Sequence, residues 1–263
     1  MLPRHGCKAM RGGFEWLALC LLPSTLDLDC RCSKETMDLT QSFEHCFPSD
    51  VRKRYLFAET RNAATVFAAT NPDAFEQVVD VLRNFHLRTS DLITPGGQES
   101  DLAARANRMF RERGWREARV DTLIQLSLQR TPLREAGETS LEPIVTETRN
   151  EGYKVDNFRD RVALDMEWNA KDGNLDRDIG AYRSLYDAAL IDIGVLITRT
   201  LDLRDLGRRL GLEAGMPTDQ ARRILNTTTT TNREKLLPRM TRGDAGGCPL
   251  LAVFICPATH TPG

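Results

Sequence analysis

Hydrophobic and polar positions repeat at helical spacing in several stretches of the chain. Asn71 followed by Pro72 is typical of a helix start, and apolar positions at a spacing of three or four residues continue behind it. The predicted buried side chains of this helix are Phe75, Val78, Val79, Leu82 and Phe85. A turn at residues 94–97 and a capping Ser100 predict a second helix. Its predicted buried face consists of Leu102, Ala106, Met109 and Phe110.

Other stretches alternate with a period of two or are apolar throughout, as β-strands are. The predicted strands cover residues 116–129, 144–148 (a weaker pattern), 162–168, 191–198 and 250–256. Helices are predicted from Asp176 onward and at residues 201–211. Helices that precede, separate and follow a few strands favour an α/β fold in which a central mixed β-sheet is flanked by helices.

The strand predicted at residues 162–168 carries acidic side chains on one of its faces. Its apolar side chains alternate with a second set of positions that includes Asp165 and Glu167. These two carboxylates are therefore expected on the same face, roughly 7 Å apart from the rise of a strand. Asp156 lies nine residues before Asp165, and a bend at residues 157–160 would let the chain fold back and place it opposite the pair.

Carboxylates that converge on a sheet repel one another unless a cation lies between them. Oxygen ligands without neighbouring His or Cys favour Mg²⁺ over zinc, and carboxylate-bound Mg²⁺ is suited to phosphoryl transfer or phosphodiester hydrolysis. The spacing alone leaves a second interpretation open. Asp165 and Glu167 would then form only the solvated face of an amphipathic strand.

Composition excludes several classes of protein. With 41% hydrophobic and 28% charged residues, the 263-residue chain is neither disordered throughout nor collagen-like, and no apolar run reaches the ~20 residues of a membrane span. The formal charge of −1 combines 30 Arg with only 6 Lys. Arginine suits phosphates and base edges, although a GC-rich genome would also favour it. The eight arginines between residues 105 and 134 fit either a solvated surface or a phosphate-binding one.

Residues 1–36 differ from the rest of the chain. Basic residues precede a short apolar stretch at residues 14–22, but Glu15 interrupts it and no small-residue cleavage site follows. We expect an unstructured extension or a misassigned start, with Met37 as the true beginning, and residues 37–263 as a single domain; export is the third alternative. The seven cysteines are unevenly spread, which does not indicate a disulfide framework and favours a reducing, cytoplasmic location. They form no zinc-binding pattern with the four histidines.

Around the acidic strand the sequence resembles the BglII/BstYI-type restriction endonucleases, a branch of the PD-(D/E)xK nuclease superfamily. The resemblance runs in separated blocks from about residue 60 to residue 256. The blocks are PGGQESDLA (95–103), GWREARV (114–120), VD (155–156), RVALDMEWNAKDGNLDRDI (161–179), GVLITR (194–199), the TTTT run, KLLPR (235–239) and GGCPLL (246–251). It implies a restriction-endonuclease-like core.

The resemblance also implies a catalytic, metal-binding set. The first metal-binding Asp of the superfamily corresponds to Asp156, and the second acid corresponds to Asp165. The second acid is usually Glu, so Asp165 departs from the family pattern by being one methylene shorter. The third position, often Lys in the superfamily, is Glu167, and Lys171 lies too far along the chain to replace it. Glu167 would then ligate Mg²⁺ or orient water.

Candidate DNA-binding residues lie beside this strand. Asn and Lys side chains suit adenine and guanine edges, and Thr hydroxyls and methyls suit phosphates and thymine. The candidates are Asn169, Lys171, Arg177, Thr198, Arg199, Thr228, Thr229, Thr230 and Lys235. A simple turn at residues 169–173, a helix cap at the end of the strand and a threonine-rich linker remain the structural alternatives.

The function implied is that of a type II site-specific endonuclease. Such enzymes act with Mg²⁺ as homodimers on short palindromes of double-stranded DNA, here with a GATC core, and leave 5′-phosphate ends on 5′ overhangs. A companion DNA methyltransferase is expected genetically rather than as a stable complex, and no membrane partner is expected. The alternatives are a repair or structure-specific nuclease on the same core, and a catalytically inactive DNA-binding relic.

Overall fold

A mixed sheet of six strands organises the part of the chain that the computed structural model describes, residues 39–94 and 101–261. The strands are β1 (Tyr55–Glu59), β2 (Arg116–Leu128), β3 (Ile144–Arg159), β4 (Val162–Met166), β5 (Ile193–Arg199) and β6 (Leu250–Ile255). Their order across the sheet is β1-β6-β5-β4-β3-β2. The predicted turn at residues 95–97 and the predicted helix start at Ser100 lie outside the described residues.

Helices connect these strands and cover the sheet. They are α1 (Phe43–Cys46), α2 (Ser49–Arg52), α3 (Ala63–Thr70), α4 (Pro72–Asn84), α5 (Thr89–Ile93), α6 (Asp101–Glu112), α7 (Gly173–Asp187), α8 (Leu203–Glu213), α9 (Thr218–Ala221) and α10 (Arg233–Arg242). Two short 3₁₀ helices occupy Arg134–Ala136 and Pro257–Thr259. A mixed sheet with flanking helices confirms the predicted α/β class.

The centre of the sheet is parallel and its margins are antiparallel. Strands β4, β5 and β6 pair in parallel, and every residue in them is buried. Parallel strands need both faces covered, so their sequences are mainly apolar, with Asp165 on β4 and Thr198 and Arg199 at the end of β5 as buried polar exceptions. The antiparallel pairs are β1 with β6, β3 with β4, and β2 with β3.

Two hydrophobic clusters lie on opposite faces of the sheet. The first contains the apolar face of α4, together with Leu102, Ala106 and Phe110 of α6 and the β4 side chains Val162, Leu164 and Met166. The second contains Ala163 of β4 together with side chains of α7 and α10. All five side chains predicted to be buried on α4 are buried, and three of the four predicted on α6 are fully so. Met109 is only partly buried at the edge of the first cluster.

The structure differs from the predicted elements mainly at three places. β3 has 16 residues and includes the weak pattern at 144–148, because it pairs with β2 along a long hairpin. Neither β1 nor α10 was predicted: β1 is only five residues long, and α10 contains Pro238, which normally ends a helix. The outer hairpin is exposed, and residues 123–145 hold seven of the ten exposed large hydrophobic side chains in the described part.

Two further findings bear on the setting of the protein. Within residues 39–94 and 101–261, no helix combines the length and the apolar character that crossing a membrane requires. The cysteines described there, Cys46, Cys248 and Cys256, are free thiols.

Candidate active site at the acidic strand

The turn between β3 and β4 brings the first two predicted acids together. Asn157 pairs with Leu164 across the two strands, so the continued register places Asp156 opposite Asp165. The backbone N–H of Asp156 donates to Oδ1 of Asp165 at 2.8 Å. The strand pairing therefore fixes both the relative position of these residues and one oxygen of the Asp165 carboxylate.

Asp165 and Glu167 occupy one face of the acidic strand, but that face is not solvated. Their residues are only 3% and 5% exposed. Helix α7 covers this side of the sheet, where Ala163 packs in the same cluster as Ile179 and Tyr182. The alternation read from the sequence is right. The interpretation as a merely solvated face is wrong, because a helix covers it.

Tyr182 of α7 holds the second oxygen of Asp165. Its hydroxyl lies 2.6 Å from Asp165 Oδ2, to which it donates, and 2.9 Å from the carbonyl oxygen of Val195. Burial, followed by the charge of Asp165, raises the pKa of Tyr182 well above its ordinary value, so the phenol remains a neutral donor. Both oxygens of Asp165 thus have a donor from the protein.

Burial is the main reason that the pKa of Asp165 rises to about 7. The charge of Asp178 raises it further, whereas the hydrogen bonds from Tyr182 and from the Asp156 backbone oppose the rise. The charge of Asp156 contributes in the same direction as that of Asp178. The carboxylate is therefore held in a place that disfavours its own negative charge.

Gly194 on β5 leaves the space that the ring of Tyr182 needs. A Cβ at this position would lie 2.3 Å from Cδ2 of Tyr182. We expect Gly194→Ala to displace that ring, to break its hydrogen bond to Asp165, and to lower the free energy of unfolding by about 1–3 kcal/mol. Urea denaturation measures this loss. Gly180→Ala on α7, where an added Cβ meets nothing, is the matched control, and equal stability of the two variants would contradict the expectation.

Glu167 belongs to a second buried acidic pair, formed with Asp178 of α7. Asp178 is 1% exposed, and the charge of Glu167 acts on its carboxyl group. Burial, then the charge of Glu167, raises the pKa of Asp178 to about 8, and burial also raises the pKa of Glu167. The Arg177 guanidinium bridges the pair at 2.7 Å from Asp178 Oδ1 and 3.4 Å from Glu167 Oε1. Asn174 Nδ2 lies 3.3 Å from Glu167 Oε2.

The donor set suits a hard divalent cation. Asp156, Asp165, Glu167 and Asp178 supply only oxygen, and mutual repulsion and burial raise the pKa values of the last three. Oδ2 of Asp178 is buried without a hydrogen-bond partner. Within the described residues, however, no three His, Cys, Asp or Glu side chains are already arranged around one point as metal ligands. The residues fit a cation by chemistry, and its binding requires some side-chain rearrangement.

The sequence analysis missed two residues of this site. Asp178 and Tyr182 are four residues apart on α7, so they lie on one helix face and point toward the acidic strand. Asp178 lies near the start of the helix predicted from Asp176 onward and Tyr182 lies on the apolar face of that helix, so each also has a purely structural interpretation. The available signal was an acid and a phenol at helical spacing within an otherwise apolar face.

A sequence profile of the restriction endonuclease BglII/BglIII family matches residues 55–255, from the first residue of β1 to the last residue of β6. The chain belongs to this family. It is therefore a type II site-specific deoxyribonuclease, and DNA is its substrate. No curated protein sequence matches the chain.

In this restriction endonuclease, three of the candidate DNA-binding residues are buried: Thr198, Arg199 and Thr230. Thr198 is fully buried and donates from Oγ1 to the carbonyl oxygen of Glu167 at 2.8 Å. Arg199 is also fully buried, and one of its terminal nitrogens lies 3.1 Å from Thr230 Oγ1. Both side chains thus contact the segments that carry the site.

The remaining candidates, apart from Arg177, gather at the carboxyl end of the acidic strand. Lys171 and Thr230 form an isolated antiparallel bridge, and the N–H of Asp172 donates to the carbonyl of Thr229. Lys235 Nζ lies 3.0 Å from Asp172 and also donates to the carbonyl of Thr228. Asn169, Lys171, Thr228 and Thr229 are exposed. The threonine-rich segment therefore packs on the turn after β4.

Proposed function

We propose that this endonuclease hydrolyses phosphodiester bonds with Mg²⁺ held by Asp156, Asp165 and Glu167. One observation carries the proposal: the three acids lie on paired strands, and two of them are buried where burial and the charges of neighbouring acids disfavour their negative charge. The substrate is a short palindromic duplex site, with GATC as the expected core, and the products carry 5′-phosphates. The enzyme acts in the cytoplasm as part of a restriction–modification system.

Held by Asp156, Asp165 and Glu167, Mg²⁺ would supply Lewis-acid stabilisation of charge on the scissile phosphate and would lower the pKa of water. The protein's own residues supply position. Strand pairing and Tyr182 hold Asp165, and Asn174 and Arg177 orient Glu167. Glu167 accepts a hydrogen bond from the attacking water. No lysine is assigned as general base, because Lys171 is exposed and bridged to Thr230.

We further propose that the DNA passes over the surface formed by the turn after β4 and the threonine-rich segment. Asn169, Lys171, Arg177, Lys235 and the Thr228, Thr229 and Thr230 run contact it. Their amide, cationic and hydroxyl groups match base edges and phosphates. Thr198 and Arg199 support this surface from beneath through their contacts with Glu167 and Thr230. A homodimer follows from the symmetry of a palindromic site.

The test incubates the purified protein with plasmid DNA and Mg²⁺, with and without excess chelator. Discrete fragments that require Mg²⁺, and whose sequenced ends share one palindrome and carry 5′-phosphate, support the proposal. Smears or nicks indicate the structure-specific nuclease, and a gel shift without cleavage indicates the inactive relic. Analytical ultracentrifugation with the site duplex measures the dimer. Protection of the site by methylation in the host indicates the companion methyltransferase.

We propose residues 37–263 as the single catalytic and DNA-binding domain. A variant that begins at Met37 is expected to fold and to cut at the rate of the full chain, since the family match begins only at residue 55. Melting temperature and single-turnover cleavage rate measure this. A fall of the melting temperature by more than about 4 °C, roughly 1 kcal/mol or more, would show that residues 1–36 stabilise the domain.

A further inference from the structure

Arg199 is a buried cation that forms no ion pair within the described part of the chain, although the charge of Glu234 acts on it. It ends β5 and is fully buried. Its terminal nitrogens reach only neutral oxygens: Thr230 Oγ1 at 3.1 Å, the Thr200 carbonyl at 3.4 Å and Asn169 Oδ1 at 3.5 Å. The Nε atom is buried and has no hydrogen-bond partner. A buried guanidinium with an unused donor is costly unless an anion binds it in a functional state.

Arg204 is a second arginine with an unused donor, although the residue as a whole is only half-buried. It lies in the first turn of α8, directly after β5, and its NH1 donates to Asn226 Oδ1 at 3.3 Å. Its Nε is also buried without a partner. The two arginines are close enough that, after burial, the charge of Arg204 is the next cause that lowers the pKa of Arg199, to about 10. The charge of Arg204 thus acts on Arg199, and each arginine keeps one buried Nε–H donor without a partner.

One polar segment, residues 226–230, contacts both arginines. Asn226 contacts Arg204, and Thr230 contacts Arg199. Thr227 Oγ1 lies 3.3 Å from Thr230 Oγ1, and residues 226–229 are exposed. The oxygens that now satisfy the guanidinium groups are neutral amide and hydroxyl oxygens, which a charged oxygen would replace with stronger hydrogen bonds.

We infer that Arg199 and Arg204 form an anion site for a backbone phosphate of the DNA substrate, covered by residues 226–230 until DNA binds. The inference rests on the DNA-binding role proposed for the threonine-rich segment. A phosphate offers two charged oxygens to the two free Nε–H donors, and guanidinium groups match this geometry. Displacement of Asn226 and Thr230 from the arginines then releases the threonine hydroxyls toward the DNA.

The first arm of the test needs no DNA. Melting temperatures are measured in inorganic phosphate and in chloride at equal ionic strength, for the parent and for Arg204→Gln. Phosphate is expected to raise the melting temperature of the parent by about 2–4 °C, which is roughly 1 kcal/mol for a domain of this size, and to leave that of the variant unchanged. Arg209→Gln, an exposed position of the same helix, is the control for net charge and should respond like the parent. Absence of a phosphate effect in the parent overturns the inference.

The second arm decides whether the phosphate belongs to DNA. Affinity for a site duplex is measured against salt concentration without divalent cation. The slope of log affinity against log salt is expected to decrease in magnitude by about 0.9 in Arg204→Gln, the loss of one phosphate contact, and to stay constant in Arg209→Gln. An unchanged slope in Arg204→Gln, or an equal decrease in both variants, overturns the assignment to DNA. Because neither arm measures cleavage, failure of the catalytic proposal leaves both results interpretable.

Discussion

Asp165→Asn is expected to reduce the rate of cleavage by at least about 10³-fold while the fold is retained. The substitution removes a negative charge from the proposed cation site, and several kcal/mol of transition-state stabilisation depend on that cation. The amide has the shape of the carboxylate. Its oxygen accepts the Asp156 N–H, and its NH₂ donates to the Tyr182 hydroxyl, which then donates to the Val195 carbonyl 2.9 Å away. The hydrogen-bond network therefore survives.

Single-turnover cleavage of a site duplex with saturating Mg²⁺ measures the effect. Metal-free affinity for the same duplex should stay within about threefold of that of the parent, a difference of under 1 kcal/mol. Asp172→Asn is the matched control, since it removes an acid seven residues further along, one whose partner is Lys235. A variant at Asp165 that cleaves at the parental rate would show that this carboxylate does not serve the reaction.

Much of the fold follows from the sequence because buried elements carry periodic patterns. The apolar face of α4 and the continuous apolar run of β5 are both long enough for their period to be unambiguous. β1 was missed because five residues with a mixed burial pattern give no clear period. α10 was missed because Pro238 and the preceding threonines suggest a loop, whereas Asn232 caps the helix by accepting from the Lys235 N–H. Such local capping is visible only with the coordinates.

The candidate site was predictable along the strand but not across the layers. The period of two places Asp165 and Glu167 on one face, and the bend expected at residues 157–160 predicts Asp156 opposite them. Neither says which helix covers that face, so the contributions of Asp178 and Tyr182 came only from the packing of α7. The burial of Arg199 also depends on packing, because a strand-end arginine in the sequence looks the same whether it faces solvent or the interior.

In the absence of divalent cations, the protein is expected to lose stability as the pH rises from about 5 to about 8. The folded-state pKa of Asp165 is raised from 3.8 to about 7 and that of Asp178 to about 8. A carboxyl group with a raised folded-state pKa takes up a proton on folding. Its contribution to the free energy of unfolding is therefore most favourable when the pH lies below the unfolded-state pKa. As the pH rises, that contribution decreases until the pH passes the folded-state pKa. The total decrease is about 1.4 kcal/mol for each unit of difference between the folded-state and unfolded-state pKa values.

Three other acids with shifted pKa values do not change the stability between pH 5 and 8. Asp172, Asp176 and Asp192 have lowered pKa values, mainly through hydrogen bonds from Lys235, Arg239 and Arg161. Acids with lowered pKa values lose their stabilising contribution only as the pH falls below about 4. Their contribution to the free energy of unfolding is therefore constant between pH 5 and 8. The decrease in that interval therefore reports on the buried acids of the site.

Mg²⁺ is expected to oppose the decrease, and increasingly so at higher pH, because a metal binds carboxylates only in their ionised form. At tenfold its dissociation constant, the cation stabilises the fold by about 1.4 kcal/mol, which raises the melting temperature by roughly 3–6 °C. Thermal unfolding at pH 5.5, 7 and 8.5, in chelator and in Mg²⁺, measures both effects, and Asp165→Asn should show a shallower decrease in chelator. Stability in chelator that stays level or rises from pH 5.5 to 8.5 would mean that the acids are not held under mutual repulsion. The electrostatic reason for proposing a cation at this site would then be absent.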